Sequence, residues 1–273
     1  MKSSHFNDKV VVITGATSGI GEACAEVFGE AGAKLVITGR NPEKLKKTSE
    51  RLEDKGFDFL AVLADAASEE DNQKMADAAL EKYGRIDILV NNAGISMRAL
   101  FEEMDLSVFH KVMDTNFWGT VYATKYCLPS ILENKGSIIG VSSINGYRGT
   151  PARTAYTASK YAMNGFFESL RTEVMKRGVH VLVVAPGFTS SNIRNSALNA
   201  EGKSQGESPR DESKMMTSEE VAIALLKATR KRKRDLVLTS QGKLAVFLNK
   251  WMPGFMDGMV YNVMAKEADS PFK

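Results

Sequence analysis

Short apolar runs rich in Val and Ile recur along the chain. They alternate with longer stretches in which apolar residues return every three or four positions. The runs are Lys9 to Thr14, Lys34 to Thr38, Phe59 to Ala64, Ile86 to Asn91, Ser137 to Ser142, Val179 to Ala185 and Asp235 to Thr239. Runs of this length and composition predict strands, and the 3.6-residue periodicity between them predicts helices. In the first helix Ile20, Ala23, Cys24, Val27, Phe28 and Ala31 fall on one face, and Glu22, Glu26 and Glu30 on the other. The strands are too continuously apolar for either face of a sheet to be wet. Seven such strands joined by helical crossovers predict an α/β fold: a doubly wound, mostly parallel sheet with helices on both faces.

Two segments break this rhythm. From Thr189 to Asp211 the chain is rich in Ser, Asn, Gly and Glu, with Pro209 near the end. A polar excursion of that length predicts a lid, over about residues 188–216. Residues 243–266 instead carry Phe247, Trp251, Met252, Phe255, Met256, Met259 and Met264, interrupted by Pro253 and Gly254. That is more apolar surface than a short terminal helix needs.

Composition narrows the function classes. A chain of 273 residues buries roughly three quarters of its unfolded surface in one core, so residues 1–273 are expected to form a single domain. The formal net charge of +3 is too small to make nucleic acid the main partner. The run Arg230 to Arg234 closes a helix, where positive charge is favourable and ordinarily solvated. Cys24 and Cys127 are the only cysteines, and His5, His110 and His180 lack metal-ligand spacing. Neither a metal site nor a disulfide framework is therefore expected, and a reducing, cytoplasmic setting fits best. The run Val10 to Ile13 is too short for a signal peptide, and no stretch is long and apolar enough to span a bilayer. Membrane contact, if any, would be peripheral and would use the apolar C-terminus.

The first strand runs through Thr14 and Gly15-Ala16-Thr17-Ser18-Gly19-Ile20-Gly21 directly into a helix. Glycines let a backbone approach a ligand closely, and a helix N-terminus offers unpaired N–H groups to a pyrophosphate. The alternative is a purely structural strand-to-helix turn. No Gly-Lys-Ser/Thr follows, so this is not a Walker loop. At the end of the second strand, where an acidic residue would bind the ribose 2′-OH of NAD, the chain has Gly39-Arg40. An Arg in that place stacks on adenine and pairs with a 2′-phosphate, which points to NADP(H), and Ser18 adds a hydroxyl. Otherwise Arg40 only caps a solvated loop.

Tyr156 and Lys160 lie four apart in a helical stretch and project from one face. Alone they would equally suit a surface pair. Ser143, thirteen residues before Tyr156, ends the fifth strand, where ligands of open α/β sheets bind. A turn-forming Ser is the alternative. Asn116 sits among Val112, Trp118 and Val121, where a polar amide needs a reason unless it lies at the surface. Asn91-Asn92-Ala93-Gly94 closes the fourth strand and Pro186-Gly187 the sixth.

In this order, from about residue 8 to 192, these motifs resemble the short-chain dehydrogenase/reductase family, whose members share a Rossmann fold. The terminal segment looks most like the hydroxysteroid dehydrogenase-like branch. The resemblance implies hydride transfer between a nicotinamide and a carbonyl or secondary alcohol, with Asn116, Ser143, Tyr156 and Lys160 as the catalytic tetrad. Tyr156 would act as acid or base with its phenol lowered well below about 10. Lys160 would lower it and bind the nicotinamide ribose, Ser143 would hold the substrate oxygen, and Asn116 would hold a water. Cofactor contacts implied are Gly15, Thr17, Ser18, Gly19, Ile20, Gly21, Arg40, Asp65, Ala66, Asn92, Ala93, Gly94, Tyr156, Lys160, Pro186, Gly187, Phe188, Thr189 and Ser191. Met97, Tyr147, Phe188 and Trp251 are expected to join Ser143 and Tyr156 around a lipophilic substrate such as a steroid or acyl-chain ketone. A homodimer or homotetramer is expected. The alternative is a regulator that binds NADP(H) without turnover.

Overall fold

A computed structural model describes residues 5–190, 193–194, 196–206, 215–266, 270 and 272. Its strands are β1 (Val10–Ile13), β2 (Lys34–Gly39), β3 (Phe59–Leu63), β4 (Ile88–Asn91), β5 (Ser137–Val141), β6 (His180–Ala185), β7 (Thr189–Ser190), β8 (Met216–Thr217) and β9 (Asp235–Val237). The helices are α1 (Gly19–Glu30), α2 (Pro42–Asp54), α3 (Glu69–Tyr83), α4 (Leu106–Met113), α5 (Gly119–Glu133), α6 (Thr154–Val174), α7 (Ser218–Arg230), α8 (Ser240–Trp251) and α9 (Pro253–Ala265). All seven expected strands pair in parallel, in the order β3-β2-β1-β4-β5-β6-β9. This is a Rossmann-type sheet whose order reverses between β1 and β4.

Burial on both faces explains the parallel arrangement. Side chains of alternate strand positions enter two separate cores. Val11, Ile13 and Leu35 pack with Cys24, Phe28, Val221 and Leu225 on the α1/α7 face. Val10, Val12 and Leu89 pack with Met75, Cys127, Met163 and Phe167 on the α3/α5/α6 face. Helix starts are set locally: Asn41, Ser68 and Asp105 each accept a first-turn backbone N–H, and Thr217 with Glu220 forms a complete capping box.

The polar excursion after β6 is tied at its base, where β7 pairs with β8. It is not polar throughout, because Ala197 and Leu198 are buried and Leu198 bridges to Met97.

Asp87, which the strand pattern does not distinguish, links the starts of β1 and β4. Its buried carboxylate accepts from Val10 N at 3.0 Å, Lys9 Nζ at 2.9 Å and Arg85 Nε at 2.9 Å. Burial by itself would raise its pKa, but the bonds from Arg85, Lys9 and Val10 outweigh that and hold the carboxyl below the usual range. A depressed folded pKa stabilises above the unfolded carboxylate value, and the contribution is lost as pH falls below it. Asp87→Ala is therefore expected to destabilise by about 2–3 kcal/mol, less than a fully buried pair because its cations are partly hydrated. Denaturant melts at several pH values check this; the wild-type advantage should shrink below pH ~4.

Candidate active site

The carboxyl ends of β1, β4, β5 and β6 meet at one edge. Gly15 leaves β1 with φ +65°, and a Cβ there would lie 2.8 Å from Ala93 Cα. Thr14 Oγ1 accepts from the backbone N–H of Asn92 and Ala93, both at 3.1 Å. The Asn92 amide donates in return to the Thr14 and Gly15 carbonyls, both at 3.0 Å. A Cβ on Gly21 would overlap Asn92 Nδ2 and the Gly15 carbonyl, so this glycine is required by close packing. Ser18 is the N-cap of α1, yet its side chain makes no capping bond, which leaves the first-turn N–H groups open toward a ligand. The residues present thus fit a dinucleotide pyrophosphate.

Gly39 ends β2 against Thr17, where a Cβ would overlap the Thr17 methyl. Arg40 follows, exposed and without an ion pair to a described residue. Asn41 beside it is occupied as the α2 cap. Asp65 turns part of its carboxylate to Ala67 N at 3.0 Å, and the Ala66 carbonyl accepts from Asn72 Nδ2 at 2.9 Å.

On α6, Tyr156 and Lys160 share a face, and Lys160 Nζ lies 5.8 Å from the Tyr156 ring centroid. Lys160 is buried and donates to the Val141 carbonyl at the end of β5 at 2.9 Å. An ammonium carries three donors, so the other two remain for a ligand. Burial lowers its pKa to about 8. Ser143 accepts from Asn145 N at 3.1 Å, and its hydroxyl is near enough to the Tyr156 phenol to favour the phenolate.

Burial pushes the Tyr156 phenol up, opposed by the Ser143 hydrogen bond and the positive charge of Arg153. This departs from the lowered phenol expected of the site. Desolvation dominates in the protein alone, because Lys160 spends its contact on Val141 rather than on the phenol.

Asn116 lies fully buried in a π-helical turn, Asp114–Trp118, between α4 and α5. Such turns interrupt helices frequently at functional sites. Its Oδ1 accepts from Ile95 N at 2.8 Å, and its Nδ2 donates to Ile95 O at 3.0 Å and Ser159 Oγ at 2.9 Å. Both amide donors are used, so the side chain pins the segment after β4 to α6.

The structure brings Met97 and Tyr156 into one apolar cluster with Ile95, Phe109 and Leu198. Gly187 packs against Thr239, Thr189 donates to the Gly187 carbonyl at 3.2 Å, and Phe188 is half exposed at the mouth. Pro186 O accepts from Ile144 N at 3.3 Å, joining the ends of β5 and β6. Ser191 lies outside the described residues.

Two expected wall residues lie toward α8. Tyr147 is half-buried, and its carbonyl accepts from the Tyr161 hydroxyl of α6 and from Asn249 Nδ2 of α8 at 2.8 Å. Trp251 is 67% exposed beneath Lys250. Both were placed by sequence proximity and aromatic character, which do not fix direction. Missed by the same reasoning were Ser159, which accepts from Asn116 and donates to the Tyr156 carbonyl at 2.7 Å, and Arg153, which donates to Ser96 Oγ at 2.7 Å. Ser159 had a signal, a hydroxyl inside a helix next to Lys160; Arg153 had none.

A pyrophosphate cradle beside a Ser–Tyr–Lys cluster, at the switch point of a parallel sheet, defines a nucleotide-dependent α/β oxidoreductase. The sequence profile of the short chain dehydrogenases matches residues 9–202. Dehydrogenase/reductase SDR family member 7B of Mus musculus is 36% identical, with 97% of this chain and 83% of the relative aligned. The uncharacterized oxidoreductase YxnA of Bacillus subtilis (strain 168) is 34% identical over 99% of this chain and 77% of its own. The crystal structure of a short chain dehydrogenase/reductase from Burkholderia phymatum in complex with NAD superposes with a TM-score of 0.83 at 25% identity, covering 92% of this chain and 96% of that one. The chain belongs to the short-chain dehydrogenase/reductase family, and its general activity is that of an oxidoreductase using a nicotinamide cofactor.

Gly21→Ala, by displacing Asn92 and the Gly15 carbonyl, is expected to weaken nicotinamide dinucleotide binding at least about tenfold, or 1.4 kcal/mol. Titration by cofactor fluorescence checks this, with the thermal midpoint followed in parallel to separate binding from folding.

Proposed function

We propose that the chain transfers a hydride between NADP(H) and a ketone or secondary alcohol of lipophilic character, the whole chain acting as one domain. The observation that carries this reading is the meeting of Ser143, Tyr156 and Lys160 beside the glycine cradle. When bound, the nicotinamide supplies or accepts the hydride. Ser143 donates to the substrate oxygen and holds it against Tyr156. In reduction Tyr156 delivers its phenol proton to that oxygen; in oxidation it takes the proton back. Lys160 offers its two remaining donors to the nicotinamide ribose. Asn116 keeps Gly94 and Ile95 in register with α6, and Asn92 does the same for the cradle. The buried apolar cluster of Met97, Leu198 and Ile95 beside Tyr156 supports a lipophilic substrate. The reading as a non-catalytic regulator has no comparable support, since all four tetrad residues are present.

The choice of NADP(H) rests on Arg40, which follows β2, is exposed and makes no ion pair to a described residue. NADPH is expected to bind at least about tenfold more tightly than NADH, and Arg40→Ala to abolish that preference by weakening NADPH far more than NADH. Fluorescence titration of both cofactors decides it; equal affinities in the wild type would remove the NADP(H) assignment.

The C-terminal helices support a homo-oligomer. Met256 and Met264 pack inward, whereas Phe247, Trp251, Met252, Phe255 and Met259 face outward. An apolar face of this size is characteristic of an interface. Among the described residues no helix is long and apolar enough to cross a membrane. Phe247→Glu with Phe255→Glu is expected to reduce the assembly toward monomers in sedimentation equilibrium without changing cofactor affinity.

A further inference from the structure

Ser143 opens a short turn after β5, and α8 touches that turn at both ends. Gly242, in the first turn of α8, faces its start: a Cβ there would lie 2.8 Å from Ile144 Cδ1. Asn249 faces its end. Its Nδ2 donates to the Tyr147 carbonyl at 2.8 Å, and its Oδ1 accepts from Arg148 Nη1 at 3.2 Å. Seven residues bring a helix back to the same face, so Gly242 and Asn249 form one inner side of α8, two turns long. Phe247 and Trp251 come round on the opposite side and are exposed. Arg148 reaches on to α9, where it pairs with Asp257 at 2.7 Å.

The turn itself is one hydrogen-bonded unit. Gly146 N donates to the Ser143 carbonyl, and Tyr147 N and Arg148 N both donate to that of Ile144, all at 2.9 Å. Asn145 N donates to Ser143 Oγ at 3.1 Å, which ties the hydroxyl itself to the turn. On its other side the turn is held by α6: Asn164 Nδ2 donates to the Gly146 carbonyl at 2.8 Å, and the Tyr161 hydroxyl to that of Tyr147. The turn is thus clamped between two helices. One of them, α6, also carries Tyr156 and Lys160, so the bonds to α8 are the ones that can shift Ser143 relative to Tyr156. Within that contact the side chain of Arg148 is 17% exposed and that of Asp257 70%, so the bonds through Asn249 outweigh the outer ion pair.

We propose that Asn249 and Arg148 are positioning residues for Ser143: they lock the turn after β5 to the inner face of α8 and so set where the Ser143 hydroxyl stands. The proposal rests on Ser143 as the group that holds the substrate oxygen, but its test needs neither cofactor nor turnover.

The test is amide hydrogen exchange of the full chain, resolved by residue. The Asn145 N–H reports directly on Ser143, because Ser143 Oγ is its acceptor. Asn249→Ala and Arg148→Ala are each expected to speed exchange at Asn145, Gly146 and Tyr147 about tenfold, with the amides of β5 and β6 unchanged. Arg148→Lys, which keeps a donor for Asn249 and a charge for Asp257, should restore most of the protection. Asp257→Asn, at an exposed position, should raise the same amides only about twofold, and it serves if the alanine variants do not fold. Unchanged Asn145 exchange in the folded variants, an equal rise across β5 and β6, an equal rise in Arg148→Lys, or an unprotected Asn145 amide in the wild type overturns the proposal. Cofactor binding by the same proteins reports separately on the oxidoreductase reading.

Discussion

Parallel pairing places every strand's carboxyl end on one edge, and the rest of the site depends on that constraint. A strand buried on both faces has no solvated side on which to carry polar side chains, so polarity collects where the strand stops. Here the stops are Thr14, Asn92, Ser143 and Pro186, contributed by β1, β4, β5 and β6. The order reverses between β1 and β4, so the loops leaving these two strands diverge to opposite faces and open a crevice. Thr14-Gly15 and Asn92-Ala93 bind each other across that divergence through four hydrogen bonds, which makes the crevice a fixed shape rather than a gap.

Within that shape two kinds of polar group divide the work. Thr14, Asn92 and Asn116 use their donors on the protein, and Ser159 both accepts and donates there. Removing such a group leaves a buried partner unsatisfied, at a cost of about 1–3 kcal/mol each. Ser143, Tyr156 and Lys160 retain bonding capacity that the protein does not satisfy. Saturated groups hold unsaturated ones at set distances, which is the arrangement pre-organised catalysis requires.

Much of this was legible in the residues. Seven apolar runs gave seven parallel strands, and the spacing of Gly15, Gly19 and Gly21 located the cradle because close backbone approach admits no other side chain. Tyr156 and Lys160 were legible because a separation of four fixes a shared helical face. What was not legible is direction across the fold. Tyr147 and Trp251 were expected at the substrate by composition, but the side-chain vectors depend on how α8 meets the turn after β5. The excursion after β6 looked wholly polar because the buried apolar residues among those described, Ala197 and Leu198, are too few to make a period. The role of Asn116 was hidden for another reason. A π-turn shifts the helical register by one residue, and no local pattern announced which backbone groups would come within reach of the amide.

The protonation state at the centre follows from competition between desolvation and pairing. Burial disfavours both charged forms, pushing Tyr156 up and Lys160 down. A tight phenolate–ammonium pair would reverse both shifts, but Nζ is 5.8 Å from the ring centroid and bonded to Val141. Desolvation therefore prevails, and near pH 7 the free protein holds a protonated phenol beside a still largely protonated Lys160. That is the state from which a carbonyl oxygen receives a proton. Serving as a base instead requires added positive charge near the phenol, and the groups that compete to supply it are those facing Tyr156. The same burial that dries the site thus sets its resting state on the side of reduction.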